Sequence, residues 1–483
     1  MYIHNNHLGK YVLSPDDTPV IRQPNDGPAI MTNSAASTLH AGSTLLPQGW
    51  ASNVRISITG GLISNIDIGV EAEAADERHS VLVPAMSNLH SHAFQRAMSG
   101  LAELRGPSDD SFWSWRVLMY RFALQMTPEQ IEAVAAQLYM EMLEAGFCRV
   151  GEFHYLHHDR DGSLYANIAE HAERIGAASA ETGIGLTLLP VFYAHSGFGG
   201  QAPIDGQRRF INSIESFGRL MQVCRKMQAS LPGMQLGIAP HSLRAVTPDE
   251  LAAILPLAEG GPVHIHVAEQ TKEVDDCIAW SGARPVEWLL DHAPVDDRWC
   301  LIHATHLTDQ EVANMAHSGA VAGLCPITEA NLGDGTFAAP KFLAKGGRLG
   351  VGSDSNVLIS LSGELRQLEY SQRLAHLARN VIAAPNGSTG RRLFDAAVEG
   401  GAQALATKAG LALGAPADIV ALDTANASYL AEDNLLDNWI FGADVTVDSV
   451  WAAGKKQVAN GRHISRDRIR KRFAETMQTL LSD

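Results

Sequence analysis

The sequence has no run of 18 apolar residues, few cysteines and fewer basic than acidic side chains. Without such a run no transmembrane helix is expected, because a membrane span needs about 20 apolar residues. The five cysteines form no C-x-x-C pair, which is typical of reduced thiols in a cytoplasmic protein. A formal net charge of −16 disfavours contact with nucleic acid or an anionic membrane. We therefore expect neither partner.

The beginning of the chain differs in composition from the rest. Residues 1–37 are rich in Asn, Asp, Pro and His and lack the basic-then-apolar pattern of a signal peptide. We interpret them as an extension outside the fold. The whole chain of 483 residues is 46% hydrophobic and 19% charged, which indicates a globular enzyme with room for one large and one smaller domain.

Apolar runs alternate with longer helical stretches through the middle of the chain. Capping patterns that begin at Thr127, Thr247 and Thr308 mark helix starts between these runs. Strand followed by helix, eight times over, predicts an α/β fold of the (β/α)8 TIM-barrel type, with functional residues at the carboxyl ends of the strands. The eight runs are residues 80–87, 148–155, 184–193, 235–240, 263–268, 299–303, 320–326 and 348–352.

Short strands flank this barrel pattern on both sides. Residues 38–79 contain alternating apolar positions and a hairpin signal at Gly60-Gly61, and residues 405–465 return to short strands. Pairing the two segments predicts one small β-sandwich domain built from both ends of the chain. The barrel is then expected over residues 80–404, and residues 466–483 are expected to form an amphipathic surface helix.

Titratable side chains follow several of the predicted barrel strands. His90 and His92 are one residue apart, so they project to the same side of a strand and can reach one ion. Such residues at four strand ends predict a shared metal site. Besides the first pair, they are His264, His266, Glu269, His303 and Asp354.

This set of side chains suits hydrolysis. Three imidazoles and a carboxylate suit Zn²⁺, although Fe²⁺ and Mn²⁺ accept the same ligand types. A bound metal lowers the pKa of water towards about 7, and a carboxylate ligand can take the proton of that water. A second carboxylate, Glu269, can protonate a leaving nitrogen. The combination indicates hydrolytic deamination.

The segments HSH, HIHVAE, IHATH and VGSDSN resemble the amidohydrolase superfamily, in particular its mononuclear deaminase branch. The resemblance extends from about residue 38 to the end of the chain. It implies zinc ligands at His90, His92, His266 and Asp354, and roles for Glu269, His303 and Asp354 in proton transfer. Binuclear members carry a carboxylated lysine after strand four. The segment IAPHSL has no lysine there, which favours a single metal ion.

Basic residues near the predicted strand ends indicate the class of substrate. Arg96 and Arg116 follow strand one, Tyr155 follows strand two, and Arg244 follows strand four. Because arginine pairs strongly with carboxylates, this group suggests a substrate with more than one carboxylate. For Arg96, a surface ion pair explains the residue equally well.

The segments FHYLHHD and PHSLRAV are similar to those of the formimidoylglutamate deiminases of histidine degradation. This resemblance implies that Arg116, Tyr155 and Arg244 hold the carboxylates of glutamate, and that Gln95 and His241 also line the pocket. The implied reaction converts N-formimino-L-glutamate and water to N-formyl-L-glutamate and ammonia. A homodimer is also suggested by the resemblance.

Two alternatives stay open at this point. Another deaminase of the superfamily, acting on guanine, an adenosine derivative or a triazine, would use the aromatic residues at 112–115 as a slot for a flat base. A non-catalytic relative would keep the fold alone. Such relatives typically lack metal ligands, whereas all four are present in this sequence.

Overall fold

The computed structural model of the chain describes residues 37–105 and 111–482. The extension expected over residues 1–37 therefore lies outside the described part, except for Ser37. The described residues form an α/β fold, and none of their helices is long and apolar enough to cross a membrane. All five cysteines lie within this part and are free and buried.

The elements are numbered here in chain order. The strands are β1 (Ser37–Leu46), β2 (Gly49–Thr59), β3 (Leu62–Ile68), β4 (Glu77–Pro84), β5 (Met86–Ser91), β6 (Phe147–His154), β7 (Gly185–Phe192), β8 (Gln235–Leu236), β9 (Ala239–Pro240), β10 (Val263–Val267), β11 (Trp299–His303), β12 (Val321–Leu324), β13 (Arg348–Val351), β14 (Ile419–Asp423), β15 (Thr446–Ala452), β16 (Lys455–Ala459) and β17 (Arg462–His463). The α-helices are α1 (Phe112–Gln125), α2 (Pro128–Glu144), α3 (Glu170–Thr182), α4 (Ile214–Ser230), α5 (Pro248–Ile254), α6 (Thr271–Ser281), α7 (Pro285–His292), α8 (Asp309–Ser318), α9 (Pro326–Leu332), α10 (Ala339–Ala344), α11 (Leu361–His376), α12 (Thr389–Ala404), α13 (Asp433–Phe441) and α14 (Arg466–Ser482). Short 3₁₀ segments cover Ala93–Met98, Asp205–Gln207, Leu255–Ala258 and Ala425–Ala427.

One mixed sheet combines strands from both ends of the described chain, in the order β17-β16-β15-β14-β4-β1-β2-β3. Strand β4 joins the two halves because it pairs in parallel with β1 and antiparallel with β14. The β2–β3 hairpin turns at Gly60 and Gly61, whose φ angles of +60° and +82° are those that a two-residue turn requires. Leu39, Ile56 and Trp451 belong to a separate hydrophobic cluster of this sheet.

Two parallel sheets carry the strands that end near the predicted site. One has the order β5-β6-β7-β8, with β9 paired to β7, and the other has the order β10-β11-β12-β13. Isolated bridges connect their edges: Ser91 to Asp354, Ile238 to Val263, and Ser242 to His266. Every residue of β5, β6, β10 and β11 is buried, as expected for parallel strands that are covered by helices.

The predicted helix starts are confirmed. Thr127, Thr247 and Thr308 each accept a hydrogen bond from the backbone N–H three residues later, and the side chain at that position bonds back to the threonine. These capping boxes satisfy backbone donors that a helix leaves free at its first turn. Local sequence therefore determines where α2, α5 and α8 begin.

The prediction of a single first barrel strand over residues 80–87 is wrong. Residues 77–84 form β4 of the mixed sheet, and the parallel sheet begins with β5 at Met86. The Ala85 N–H donates to Asp418 O at 3.0 Å, beside β14, whereas the Met86 N–H donates to Gly146 O at 3.3 Å, beside β6. The last four residues of β4 and all of β5 are buried in their own sheets, so the apolar run continues across the junction.

Two other segments differ from expectation. Strand four, predicted over residues 235–240, is divided into β8 and β9, although the N–H groups of Gly237 and Ile238 still bond to neighbouring chain segments on either side. The segment over residues 405–465, expected to be all β, also contains α13. The helix buries Leu436, Trp439 and Ile440, so the sequence carried a helical period that the strand interpretation overlooked.

Helix α12 approaches the strands closely at Gly400. A Cβ atom built on this glycine would lie 1.9 Å from the carbonyl oxygen of Leu349 in β13. No side chain can occupy that space unless the helix moves away from the strand. Glycine at this position therefore allows α12 to pack closely against β13, the strand that precedes Asp354.

We expect Gly400→Ala to lower the free energy of unfolding by about 3 kcal/mol, because the added methyl group overlaps backbone atoms. Gly218→Ala in α4 is a matched control, since a Cβ there meets no atom within 4 Å. Alanine should stabilise that helix by about 0.5–1 kcal/mol through its higher helix propensity. Denaturant unfolding of both variants measures the difference, and equal effects would contradict the close packing.

Candidate metal centre and substrate pocket

Four of the predicted ligands meet at the carboxyl ends of β5, β10 and β13. The Nε2 atoms of His90 and His92 each lie 3.2 Å from Asp354 Oδ1. His266 Nε2 lies 3.0 Å from His90 Nε2. All four side chains are buried, and one ligand atom from each lies within 4.8 Å of the others. The structure therefore assembles a metal-binding cluster from residues that are far apart in the chain.

The hydrogen bonds behind two of these rings decide which nitrogen faces the cluster. His92 Nδ1 lies 3.0 Å from the carbonyl oxygen of Phe153, and His266 Nδ1 lies 3.0 Å from that of His241. A carbonyl only accepts, so each Nδ1 carries the proton and each Nε2 presents a lone pair. Imidazole nitrogens and a carboxylate that converge in a buried space are held together by a cation that they share, either a proton or a metal ion. The donor set therefore fits a divalent metal ion.

The pKa values favour the metal-binding forms of these groups. Burial lowers the pKa of His90 to about 3 and holds the pKa of His266 well below its usual value, so both rings are neutral. Burial opposes ionisation of Asp354, but the adjacent His90 and His92 hold the pKa of this carboxyl well below its usual value. Neutral imidazole and ionised carboxylate are the forms that ligate metals.

The backbone around Asp354 fixes its carboxylate against the two histidines of β5. The Asp354 N–H donates to His90 O at 2.9 Å, and the His92 N–H donates to Asp354 O at 3.0 Å. Asp354 and His303 adopt left-handed backbone conformations, with φ of +45° and +66°. For residues other than glycine such conformations cost about 1 kcal/mol or more and are held by surrounding contacts, often at functional sites. The strand ends are therefore shaped to present these side chains.

His303 lies between carboxylates beside the metal-binding cluster. Its Nε2 is 3.7 Å from Glu269 Oε1 and 3.9 Å from Asp354 Oδ2, and its Nδ1 is 3.3 Å from Glu329 Oε1. Burial alone would lower the pKa of His303, but these acids, Glu269 first, raise it to about 10. Burial raises the pKa of Glu269. A cationic ring and a carboxyl with a high proton affinity thus adjoin the cluster.

A pocket opens onto the cluster. Ten of the eleven predicted site residues line it: His92, Gln95, Arg116, Tyr155, His241, Arg244, His266, Glu269, His303 and Asp354. The eleventh, His90, is fully buried and contacts His266 and Asp354. The structure therefore brings these eleven side chains together, while the role of each remains a prediction.

Two arginines in this pocket have no carboxylate among the described residues at hydrogen-bonding distance. Arg244 Nη2 lies 4.0 Å from both Glu269 and Glu273, and its Nη1 is buried without a described partner. The guanidinium of Arg116 lies over the rings of Trp113 and Tyr120, at 5.7 and 5.1 Å from their centroids. Glu269 and Glu273 offset part of the Arg244 charge from this distance. Guanidinium N–H groups without an acceptor in a pocket nevertheless favour an anionic ligand.

Comparison with known sequences adds family membership to this geometry. The sequence profile described as "Amidohydrolase family" matches residues 81–456, which is most of the chain. The chain belongs to the amidohydrolase family. A second profile, "Formimidoylglutamate deiminase HutF, N-terminal domain", matches residues 36–80.

Curated relatives of this amidohydrolase include two kinds of deaminase. The formimidoylglutamate deiminase of Pseudomonas aeruginosa is 53% identical over 454 residues, covering 92% of this chain and all of the relative. The 5-methylthioadenosine/S-adenosylhomocysteine deaminase of Natronomonas pharaonis is 26% identical, covering 76% of this chain and 78% of the relative.

Solved structures show the same fold. An amidohydrolase from Brucella melitensis is 62% identical and superimposes with a TM-score of 0.91, covering 92% of this chain and 100% of that one. An adenosine deaminase from Xanthomonas campestris with bound zinc has a TM-score of 0.75 at 20% identity, covering 92% and 98% of the two chains. At that identity the likeness establishes the fold only, which is the TIM-barrel type of the amidohydrolases.

Some residues considered in the sequence lie outside the pocket. Arg96 Nε donates to Glu141 Oε2 at 2.7 Å, so the ion-pair interpretation of Arg96 is confirmed. His264 Nε2 bonds to Ala404 O at 2.8 Å within the core. Both side chains are therefore explained by structural contacts.

One residue that lines the pocket and one that supports it from behind were missed in the sequence-based predictions. Tyr193, directly after β7, lines the pocket, and the same strand-end rule would have found it. Glu273 is fully buried and accepts hydrogen bonds from the N–H groups of Ala268 and Glu269, so it fixes the turn that carries Glu269. Glu273 carries no sequence signal of this kind, because its position depends on how α6 packs.

We expect His266→Ala to remove most of the bound metal, because it deletes one of four ligands. His264→Gln is a matched control on the same strand, since the glutamine amide can still donate to Ala404 O. Elemental analysis of the purified variants should find about one metal ion per chain in the control, as in a mononuclear site. Metal retained by His266→Ala would contradict the ligand set.

Proposed function

We propose that the chain is a zinc-dependent formimidoylglutamate deiminase, which hydrolyses N-formimino-L-glutamate to N-formyl-L-glutamate and ammonia. The observation that carries this proposal is the pair of arginines, Arg116 and Arg244, that line the pocket of the metal-binding cluster without a described carboxylate at hydrogen-bonding distance. A substrate with two carboxylates matches two such groups. The relative from Pseudomonas aeruginosa supports the same activity.

Zinc suits the proposed ligands His90, His92, His266 and Asp354, which combine three imidazoles with a carboxylate. When bound, a zinc ion lowers the pKa of water at the site so that hydroxide is available near neutral pH. The chain's own contribution is to supply neutral imidazoles and an ionised carboxylate at fixed positions. Two rings are fixed further by their Nδ1 bonds to backbone carbonyls.

Three side chains would handle the protons of the reaction. Asp354, an ionised carboxylate, accepts the proton of the attacking water. The cationic His303 ring, 3.9 Å from Asp354 and 3.7 Å from Glu269, stabilises negative charge that develops beside it. Glu269, whose pKa burial raises, donates a proton to the leaving nitrogen, so that the C–N bond breaks with release of ammonia.

The remaining pocket residues would orient the substrate. Arg116, Tyr155 and Arg244 bind its carboxylates, and His241 forms part of the wall beside them. Gln95 Nε2 donates to the Tyr155 hydroxyl at 2.8 Å, and Gln95 Oε1 is buried without a described partner. That oxygen can accept a hydrogen bond from an N–H of the formimino group. A substrate with a carboxylate or an ester in place of the formimino group has no such N–H to donate.

The same proposal extends to the architecture. The bridges that join β5 to the β13 end and β9 to β10 support closure of the two parallel sheets into a (β/α)8 barrel. A sandwich arrangement of the mixed sheet, the domain division over residues 38–79, 405–465 and 80–404, cytoplasmic localisation and a homodimer stay predictions of the sequence.

The direct test is release of ammonia by the zinc-loaded protein from N-formimino-L-glutamate, with guanine assayed in parallel. We expect turnover of the dicarboxylate alone, because a flat neutral base leaves both arginines unpaired. Turnover of guanine alone would refute the substrate while keeping a deaminase. Turnover of neither would refute the proposed activity and favour a non-catalytic relative.

We expect Arg244→Met to raise KM by about 10-fold or more, since a hydrogen bond between charged groups contributes about 1.5–3 kcal/mol. Zinc content should stay unchanged, because Arg244 is not a ligand. Arg219→Met, which removes an arginine from an exposed pair with Glu215, serves as the control and should leave KM unchanged. Equal KM values for Arg244→Met and the unmodified protein would mean that Arg244 does not bind substrate.

A further inference from the structure

Tyr193 lines the pocket, and the proposed function gives it no role. It is 5% exposed and follows β7 directly. Its ring packs against His241, with centroids 4.5 Å apart, and against Phe210, with centroids 5.8 Å apart. These contacts fix the ring, so its hydroxyl group has a defined position in the pocket.

Gln207, which is fully buried, donates a hydrogen bond to this hydroxyl. The Ile204 N–H donates to Gln207 Oε1 at 3.0 Å, which identifies the oxygen of the amide group. The amide nitrogen Nε2 therefore faces Tyr193, at 2.8 Å from the hydroxyl oxygen. An amide nitrogen only donates, so the tyrosine oxygen is the acceptor in this bond.

Arg116 approaches the same oxygen from another side. Its Nη2 lies 3.4 Å from the Tyr193 hydroxyl oxygen, and a guanidinium group also only donates. The two neighbours thus use the acceptor capacity of the oxygen and leave its own proton free. Among the described residues no acceptor takes that proton, and the open space beside the hydroxyl is the pocket.

We propose that the Tyr193 hydroxyl donates a hydrogen bond to the substrate carboxylate that Arg116 binds, and that Gln207 is the positioning residue that orients this hydroxyl. The inference rests on the proposed function and adds a substrate-binding residue to it. A carboxylate has two oxygens, and an arginine beside a hydroxyl donor offers one hydrogen bond to each. The guanidinium of Arg116 also lies over the ring of Tyr120, 5.1 Å from its centroid.

The first test compares Tyr193→Phe with the unmodified zinc-loaded enzyme. We expect KM for N-formimino-L-glutamate to rise by about 10-fold, as for the loss of a hydrogen bond to a charged group, with little change in kcat or zinc content. Tyr165→Phe is the matched control, because its hydroxyl donates to Asp159 at 3.1 Å outside the pocket. An unchanged KM for Tyr193→Phe would overturn the proposal.

Substrate analogues that lack one carboxylate separate a specific contact from general damage. N-formimino derivatives of 4-aminobutyrate and of 2-aminobutyrate each lack one of the two groups. The KM penalty of Tyr193→Phe should disappear for the analogue that lacks the carboxylate bound by Arg116 and persist for the other. The same penalty on both analogues and on the full substrate would overturn the proposal.

Gln207→Leu tests the positioning role. On its own this variant should raise KM, because the Tyr193 hydroxyl is no longer held in one direction. In the Tyr193→Phe background its effect on KM should be much smaller, since the group through which it acts is gone. Equal effects of Gln207→Leu in the two backgrounds would show that Gln207 acts only on the fold of its own loop.

Calorimetric binding of glutarate to the zinc-loaded protein gives a readout that does not need turnover. Tyr193→Phe should weaken glutarate binding by about the same factor as it raises KM, because both measure one carboxylate hydrogen bond. Weaker binding without ammonia release from N-formimino-L-glutamate would support the role of Tyr193 while refuting the proposed function. Unchanged glutarate affinity would refute the role of Tyr193 in either case.

Discussion

The structure is organised around a cluster of electron-pair donors at the ends of its parallel strands. Imidazole nitrogens from β5 and β10 and the carboxylate of Asp354 converge within a few ångströms in a buried, water-poor space. Electron pairs at such distances repel where the dielectric constant is low, so this arrangement favours binding of a cation. Two backbone hydrogen bonds join the β5 end to Asp354. Together with the left-handed conformations at His303 and Asp354, they fix the positions of these side chains.

Around this centre the charges are arranged in two zones. The acids around His303 raise the pKa of its ring to about 10 against the opposing effect of burial, and burial raises the pKa of Glu269. Further out, Arg116 and Arg244 present positive charge with no described carboxylate at bonding distance. The two arginines are important for a dicarboxylate ligand, because a protein of net charge −16 would otherwise repel it. Local charge, rather than the sum over the chain, governs what the pocket admits.

Much of the site was predictable because parallel strands end at one edge of a sheet. His90, His92, His266, His303 and Asp354 could be assigned to one site from strand ends alone, and all five contribute to it in the structure. The same logic failed where the apolar pattern could not show which sheet a strand joins, as at the junction between β4 and β5. It was also not applied to Tyr193, although that residue follows a strand in the same way.

The sequence by itself determined the ligand types, the helix caps and the alternation of strands with helices, because each depends on residues close together in the chain. Only the tertiary structure decided that Arg96 pairs with Glu141 while Arg116 faces the pocket, and that Glu273 supports Glu269. It also decided that Gln207 directs the hydroxyl of Tyr193. These outcomes depend on contacts between distant segments, for which the local sequence carries no periodic or spacing signal.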